Sequence, residues 1–155
     1  MAIDCSLKCE EVFLTKEIVI KQLANIDITC DEVTYLEKGF RIDETINKLG
    51  FSISLIDTSN SPFGYESEFF IDDFNYKQSL NFRIDNDWDS VSAITSILIL
   101  VFGIIDTTRG NVLFLLNDNE CMYRINGALK INNEDGFWDR GDYKRFIENR
   151  VYQEM

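Results

Sequence analysis

The residues of this 155-residue chain that could do chemistry are four cysteines, two groups of closely spaced carboxylates and one stretch where aromatic and acidic side chains interleave. A serine or cysteine nucleophile wants a base beside it, usually an imidazole, and the chain contains no histidine. No glycine pattern matches a phosphate loop or a dinucleotide fingerprint. Cys5, Cys9, Cys30 and Cys121 lack CxxC spacing, and on an extended strand Cys5 and Cys9 would lie about 13 Å apart, too far to share a zinc ion. They read as buried reduced thiols, Cys5 and Cys9 flanking Leu7 on one strand face. Neither metal nor cofactor is expected. Asp72-Asp73 and the series Asp85, Asp87, Asp89 are the remaining route to catalysis. Adjacent acids on a strand point to opposite faces, however, and Asp87 or Asp89 precedes a long apolar run as a ready N-cap. The expectation is a protein that is not an enzyme, with a carboxylate-dependent hydrolase as an alternative.

The interleaved stretch is Phe63 to Tyr76, FGYESEFFIDDFNY, with six aromatics among four acids. From Asp57 to Ser90 there are eight acids and two bases, half of the chain's net charge of −12. That charge repels nucleic acid and anionic membrane and attracts basic proteins. Aromatic anchors among carboxylates suit a basic protein partner, and Tyr65, Glu66, Glu68, Phe70, Asp72 and Asp73 are the candidate contact residues. Read as an extended segment, Glu66, Glu68, Phe70 and Asp72 share one face, while Tyr65, Phe69 and Asp73 share the other. The competing reading is a strand with some rings in the core and a solvated acidic face.

These residues must be positioned by elements that the hydrophobic pattern outlines. A helix over about 88–106 carries the most apolar run, Ser90 to Asp106, which is apolar nearly all round and so belongs to the core. That run is too short, and too acidic at its flanks, to span a bilayer. Ile3, Cys5, Leu7 and Cys9 alternate with polar residues, as do Phe51, Ile53 and Leu55, and Leu80, Phe82 and Ile84, so three strands are expected there. Thr15 caps a helix reaching about Asn25; Ile26 to Leu36 reads as short strands; Asp43 to Gly50 reads as a helical turn or two with a glycine stop. Asp57 to Pro62 is a loop. Asn111 to Leu116, Cys121 to Ile125 and Ala128 to Ile131 form a C-terminal meander whose Asn126-Gly127 fits a type I′ turn, and Asp142 to Val151 is expected as a last short helix. The fold class is α+β: one domain over 1–155, a mostly antiparallel sheet packed by the long apolar helix. The N-terminal residues lack a basic region followed by an apolar core, so a cytoplasmic protein is expected.

The order of short motifs resembles the immunity proteins paired with the swarm-inhibition (Sit) toxins of myxobacteria. The motifs are Met1-Ala2-Ile3-Asp4, Phe63-Gly64, Phe82-Arg83-Ile84-Asp85, the apolar helix, Gly110 to Asn117 and Gly136-Phe137-Trp138. Asp106-Thr107-Thr108 departs from the Gly-Asp pair often found there, and Ile26 to Ile56 matches poorly. The resemblance implies a cytosolic protein that binds and neutralises a cognate toxin. That toxin would be basic, with a nuclease as one candidate, and the resemblance supplies no catalytic residues. A small acidic adaptor or chaperone for a basic secreted effector is the other alternative.

Overall fold

The computed structural model describes residues 3–61 and 64–155. In chain order it runs β1 (Ile3–Cys9), α1 (Lys16–Ala24), β2 (Thr34–Leu36), β3 (Gly39–Ile42), α2 (Ile46–Leu49), β4 (Phe51–Asp57), β5 (Gln78–Ile84) and α3 (Ser90–Ile105). There follow β6 (Val112–Leu116), β7 (Asn119–Ile125), β8 (Ala128–Ile131), 3₁₀ turns at Phe137–Asp139 and Tyr143–Phe146, and β9 (Tyr152–Glu154). The strands form one sheet in the order β2-β3-β4-β5-β1-β6-β7-β8-β9. Neighbours are antiparallel except β8 and β9, which run parallel. The fold is α+β, as the alternation and the apolar helix imply.

Strand register lines up the inward residues. Phe40, Leu55, Leu80, Leu7, Phe114, Met122 and Ile131 follow one another across seven strands, from β3 to β8. All but Phe40 and Leu55 of this row are essentially inaccessible to solvent. α3 supplies the other half of the core, with nine of its sixteen residues buried. Its start is fixed by Asp89, whose carboxylate accepts hydrogen bonds from Ser92 N–H at 3.1 Å and Ser92 Oγ at 2.7 Å. Its far side is not left open. Gln22 of α1 lies against Gly103 and donates to its carbonyl, Phe146 stacks on Phe102 at 5.5 Å, and Trp138 meets the same ring edge-on. Helices and turns thus cover an all-round apolar helix that no single sheet face could bury.

Local signals are realised where turn chemistry is decisive. Thr15 Oγ1 accepts from Ile18 N–H, Gly50 ends α2 at φ 87°, and Asn126 and Gly127 both take positive φ, at 52° and 83°. Two expectations are corrected. Within Ile26 to Leu36 only Thr34–Leu36 is a strand. Asp142 to Val151 is not a helix but a 3₁₀ turn that leads into β9. There the Arg150 guanidinium forks onto the Asp106 carboxylate at 2.7 and 2.9 Å and also donates to the Phe146 carbonyl. These bonds draw the chain back along the end of α3 instead of letting it coil.

All four cysteines are buried. Burial pushes the thiols of Cys9 and Cys121 up to about 12, and that of Cys5 well above the ordinary range.

Two outcomes are expected. Leu98 is fully enclosed, so Leu98→Ala should cost about 2–5 kcal/mol, read as a lower urea midpoint. An unfolded thiol releases its proton from pH 9.0 upward, whereas the folded Cys9 and Cys121 keep theirs to about 12. The folded pKa is the raised one, so this contribution is intact below pH 9.0 and is lost as pH climbs toward 12. Urea midpoints measured from pH 8 to about 11 should fall, and a Cys9→Ala/Cys121→Ala protein should show a shallower fall.

Candidate functional site

The second face of the sheet decides where the interleaved stretch goes. Along β4, β5 and β1 that face is mostly polar, with Ser54, Asn81 and Ser6 in one cross-strand row and Ile56, Ser79 and Lys8 in the next. The same rows turn apolar on reaching β6 and β7, where Ser6 pairs with Leu115, Lys8 with Leu113, and Leu113 with Tyr123. Val112, Leu113, Phe114 and Leu115 are all buried, so β6 is apolar on both sides and needs a cover on each. α3 is packed into the inner core. The outer cover is residues 64–76.

These residues do not form the extended strand expected of them, and the alternation inferred from it is corrected. Among residues 64–76 strand pairing is confined to a single bridge, Tyr65 to Phe74, with both N–H···O bonds at 2.8 Å. The chain between them bulges out and folds its rings under. Tyr65, Phe69, Phe70, Phe74 and Tyr76 pack with Leu113, Leu115 and Tyr123 in a second apolar cluster. Phe70 meets Tyr123 edge-on at 4.5 Å and stacks toward Phe74 at 6.2 Å. Phe70 therefore faces the sheet and does not share an outer face with Glu66, Glu68 and Asp72. The four carboxylates, with Asp73 the fourth, remain exposed. At the crest Ile71 is completely exposed. Of the six candidate contact residues, then, Tyr65 and Phe70 seat the loop, and Glu66, Glu68, Asp72 and Asp73 are offered outward. None of these four acids is ion-paired among the described residues.

A residue that the sequence reading missed ties the loop down. The carboxylate of Glu120, on β7, accepts from Glu68 N–H at 2.9 Å through one oxygen and from Ser67 Oγ through the other. Ser67 Oγ in turn accepts from Phe69 N–H at 3.0 Å. Glu120 is buried and points to the loop because of a register shift in the β6–β7 pairing. Phe114 pairs with Met122 but Leu115 with Glu120, which leaves Cys121 as the extra residue and turns both Cys121 and Met122 into the inner core. The bulge is held from below: the Cys121 carbonyl accepts from Trp138 Nε1 and from Asn132 N–H, each at 3.0 Å, and Asn132 Nδ2 donates to the Glu120 carbonyl. Gly136 starts that support at φ 76°, a conformation that favours glycine. A signal for the loop cover was present in Val112 to Leu116, whose unbroken apolar run lacks the alternation of a one-sided strand.

Neighbouring electrostatics follow from partial burial. Lys8 Nζ lies 4.4 Å from the centre of the Tyr76 ring and near Ser79 Oγ, and burial lowers its pKa. Tyr65 is pushed up, first by burial and then by the charge of Glu120. Asp85 accepts from Asp87 N–H, and Asp89 caps α3, which holds its carboxyl below the usual range. Among the described residues no three His, Cys, Asp or Glu side chains converge as a metal site.

Comparison with known families agrees with this framework. A family model described as SitI3-like matches residues 3–142. The chain belongs to the SitI3-like family of Sit immunity proteins. No curated protein and no solved structure matches it. The matched span contains β1 through the Phe137–Asp139 turn, and therefore the loop, the bulge and the Gly136-Phe137-Trp138 support. The 3₁₀ turn at Tyr143–Phe146 and β9 lie beyond it. In the SitI3-like chain Phe82 of Phe82-Arg83-Ile84-Asp85 is a core residue, edge-on to Phe51 at 5.6 Å. Met1-Ala2 and Phe63 of the other motifs lie outside the described residues.

The anchor role of Glu120 has a specific signature. Glu120→Ala should cost about 1–3 kcal/mol by stranding the Ser67 and Glu68 donors. It should also raise amide exchange at Glu68 and Phe69 well before exchange at Leu7 or Leu80, as followed by hydrogen–deuterium exchange.

Proposed function

We propose that this SitI3-like chain is a non-enzymatic immunity protein that binds a cognate, basic toxin through the outer surface of residues 64–76 and so blocks it. The observation that carries the reading is the division of labour within the loop. The rings pack chiefly on the sheet, Phe69 and Phe70 remaining half-buried, while Glu66, Glu68, Asp72 and Asp73 face outward without an ion pair among the described residues. Carboxylates left in this state cost little where they stand and become favourable only when an external cation arrives. The loop is also pre-ordered by the Tyr65–Phe74 bridge and by Glu120, so little conformational entropy remains to be lost on binding.

The net charge of −12 extends the attraction beyond contact distance and speeds encounter with a basic partner. A toxin that cuts RNA or DNA is basic where it holds phosphates, and an acidic loop there would occupy the substrate's contacts. Catalysis has no part in this mechanism, which needs only occupancy. The described helices include none long and apolar enough to cross a membrane, and the cytoplasm is the compartment in which a delivered toxin would be met.

Reversing Glu66, Glu68 and Asp72 to Lys should abolish protection in a toxin challenge. It should leave the melting temperature within a few degrees of the parent, because all three side chains are exposed. Association of the parent with its toxin should slow as salt rises, with a smaller effect on dissociation. Full protection by the triple variant, with an unchanged low-salt association rate, would remove this loop from the interface.

A further inference from the structure

Beside the loop lies a cleft of about 480 Å³ whose walls combine two kinds of group. Phe69, Phe70, Phe74 and Ile71 are the apolar residues that line it, and Glu10, Asp72, Asp73 and Asn75 the polar ones. We propose that this cleft receives an arginine side chain of the partner protein, its guanidinium stacked on a ring and forked by the carboxylates. The inference rests on the toxin-binding reading above and adds the chemical group that is recognised.

Charge complementarity identifies the occupant. Two other surface clefts contain a cation of their own, Arg83 beside Ser52 and Asp85 in one, and Lys21 beside Gln22 and Thr108 in the other. The cleft at 69–75 has three carboxylates and no cation among its lining residues. Phe69 and Phe70 are only half-buried and line the cleft beside the carboxylates, whereas Phe74 is nearly inaccessible, so partly accessible aromatic residues and acids meet at one place. Glu10 is held, since its carboxylate accepts from Asn111 Nδ2 at 2.7 Å and Glu10 N–H donates to the Asn111 carbonyl at 3.1 Å. A flat cation that stacks on rings and accepts two-point pairing with carboxylates fits these walls, and guanidinium has both properties. Ammonium is a compact, strongly hydrated charge with no planar face to stack.

The test needs no toxin. Acetyl-Gly-Arg-Gly-amide is titrated into ¹⁵N-labelled protein alongside its lysine and citrulline counterparts. Saturable amide shifts should concentrate at Glu10 and residues 69–75 with the arginine peptide, be several-fold weaker with lysine and be absent with neutral citrulline. The double variant Asp72→Asn/Asp73→Asn should weaken arginine binding by about tenfold, the loss expected from removing two exposed charge contacts. Its melting curve checks that the fold is kept, and the titration of the parent stands alone if the fold is lost. Shifts spread equally over other acids such as Glu32, Glu37 and Asp118 would overturn the proposal, as would equal binding of citrulline or of lysine. A negative titration removes the cleft while leaving protection intact. Arginine binding by a protein that fails to protect removes the immunity reading alone.

Discussion

β6 is apolar on both faces, and most of the molecule's arrangement follows from the need to bury both. Its inner residues complete the core row beneath α3, and its outer residues, Leu113 and Leu115, would form an exposed patch in the middle of a wide sheet if nothing lay over them. The chain solves this with residues 64–76, which contribute five rings to the second cluster. Burial of apolar area is non-directional, so rings on an irregular loop can serve as well as a second helix or sheet. The composition of the loop is thereby explained: aromatics for the sheet, acids for the water.

Directional bonds then decide how the loop sits. The β6–β7 bulge aims Glu120 outward, and the carboxylate meets Ser67 and Glu68 where the loop leaves the Tyr65–Phe74 bridge. Under the bulge the Trp138 indole and Asn132 satisfy the Cys121 carbonyl, and Gly136, at positive φ, leads the chain into Trp138. A chain of contacts thus runs from the Gly136-Phe137-Trp138 motif through the sheet to the candidate binding surface. The motif contributes by packing and hydrogen bonding, with Phe137 and Trp138 almost wholly buried.

Electrostatically, the loop's acids are not paired with the molecule's own cations among the described residues. The ion pairs among the described residues join Lys16 to Glu17, Arg41 to Asp43, Lys48 to Glu44 and Arg150 to Asp106, none of them in the loop. On the outer face Lys8 lies against the Tyr76 ring and is bonded to Ser79, and Lys130 lies 6.0 Å from the centre of the Tyr123 ring. The loop's carboxylates thus hold no internal ion pair among the described residues that a basic partner would have to displace.

Much of the scaffold was legible in the residues themselves, because it rests on local rules. Period-two alternation marked β1, β4 and β5, a cap at Asp87 or Asp89 and the apolar run marked α3, with the structure choosing Asp89, and Asn126-Gly127 marked a hairpin. The concentration of acids and rings between 57 and 90 likewise stood out as the candidate surface. The sidedness of 64–76 was not legible. An alternation rule assumes a strand, and whether Phe70 joins the acids or the core depends on Leu113, Leu115 and Tyr123, which lie more than forty residues away. Glu120 was invisible for the same reason, since its direction is set by a bulge that exists only once β6 and β7 pair. The C-terminal segment read as a helix because its local composition allows one, yet Arg150 meets Asp106 across forty-four positions and β9 adds to the sheet edge. Sequence determines what each segment can bury and bond locally; which distant surface takes up that capacity is decided only when the sheet has closed its register.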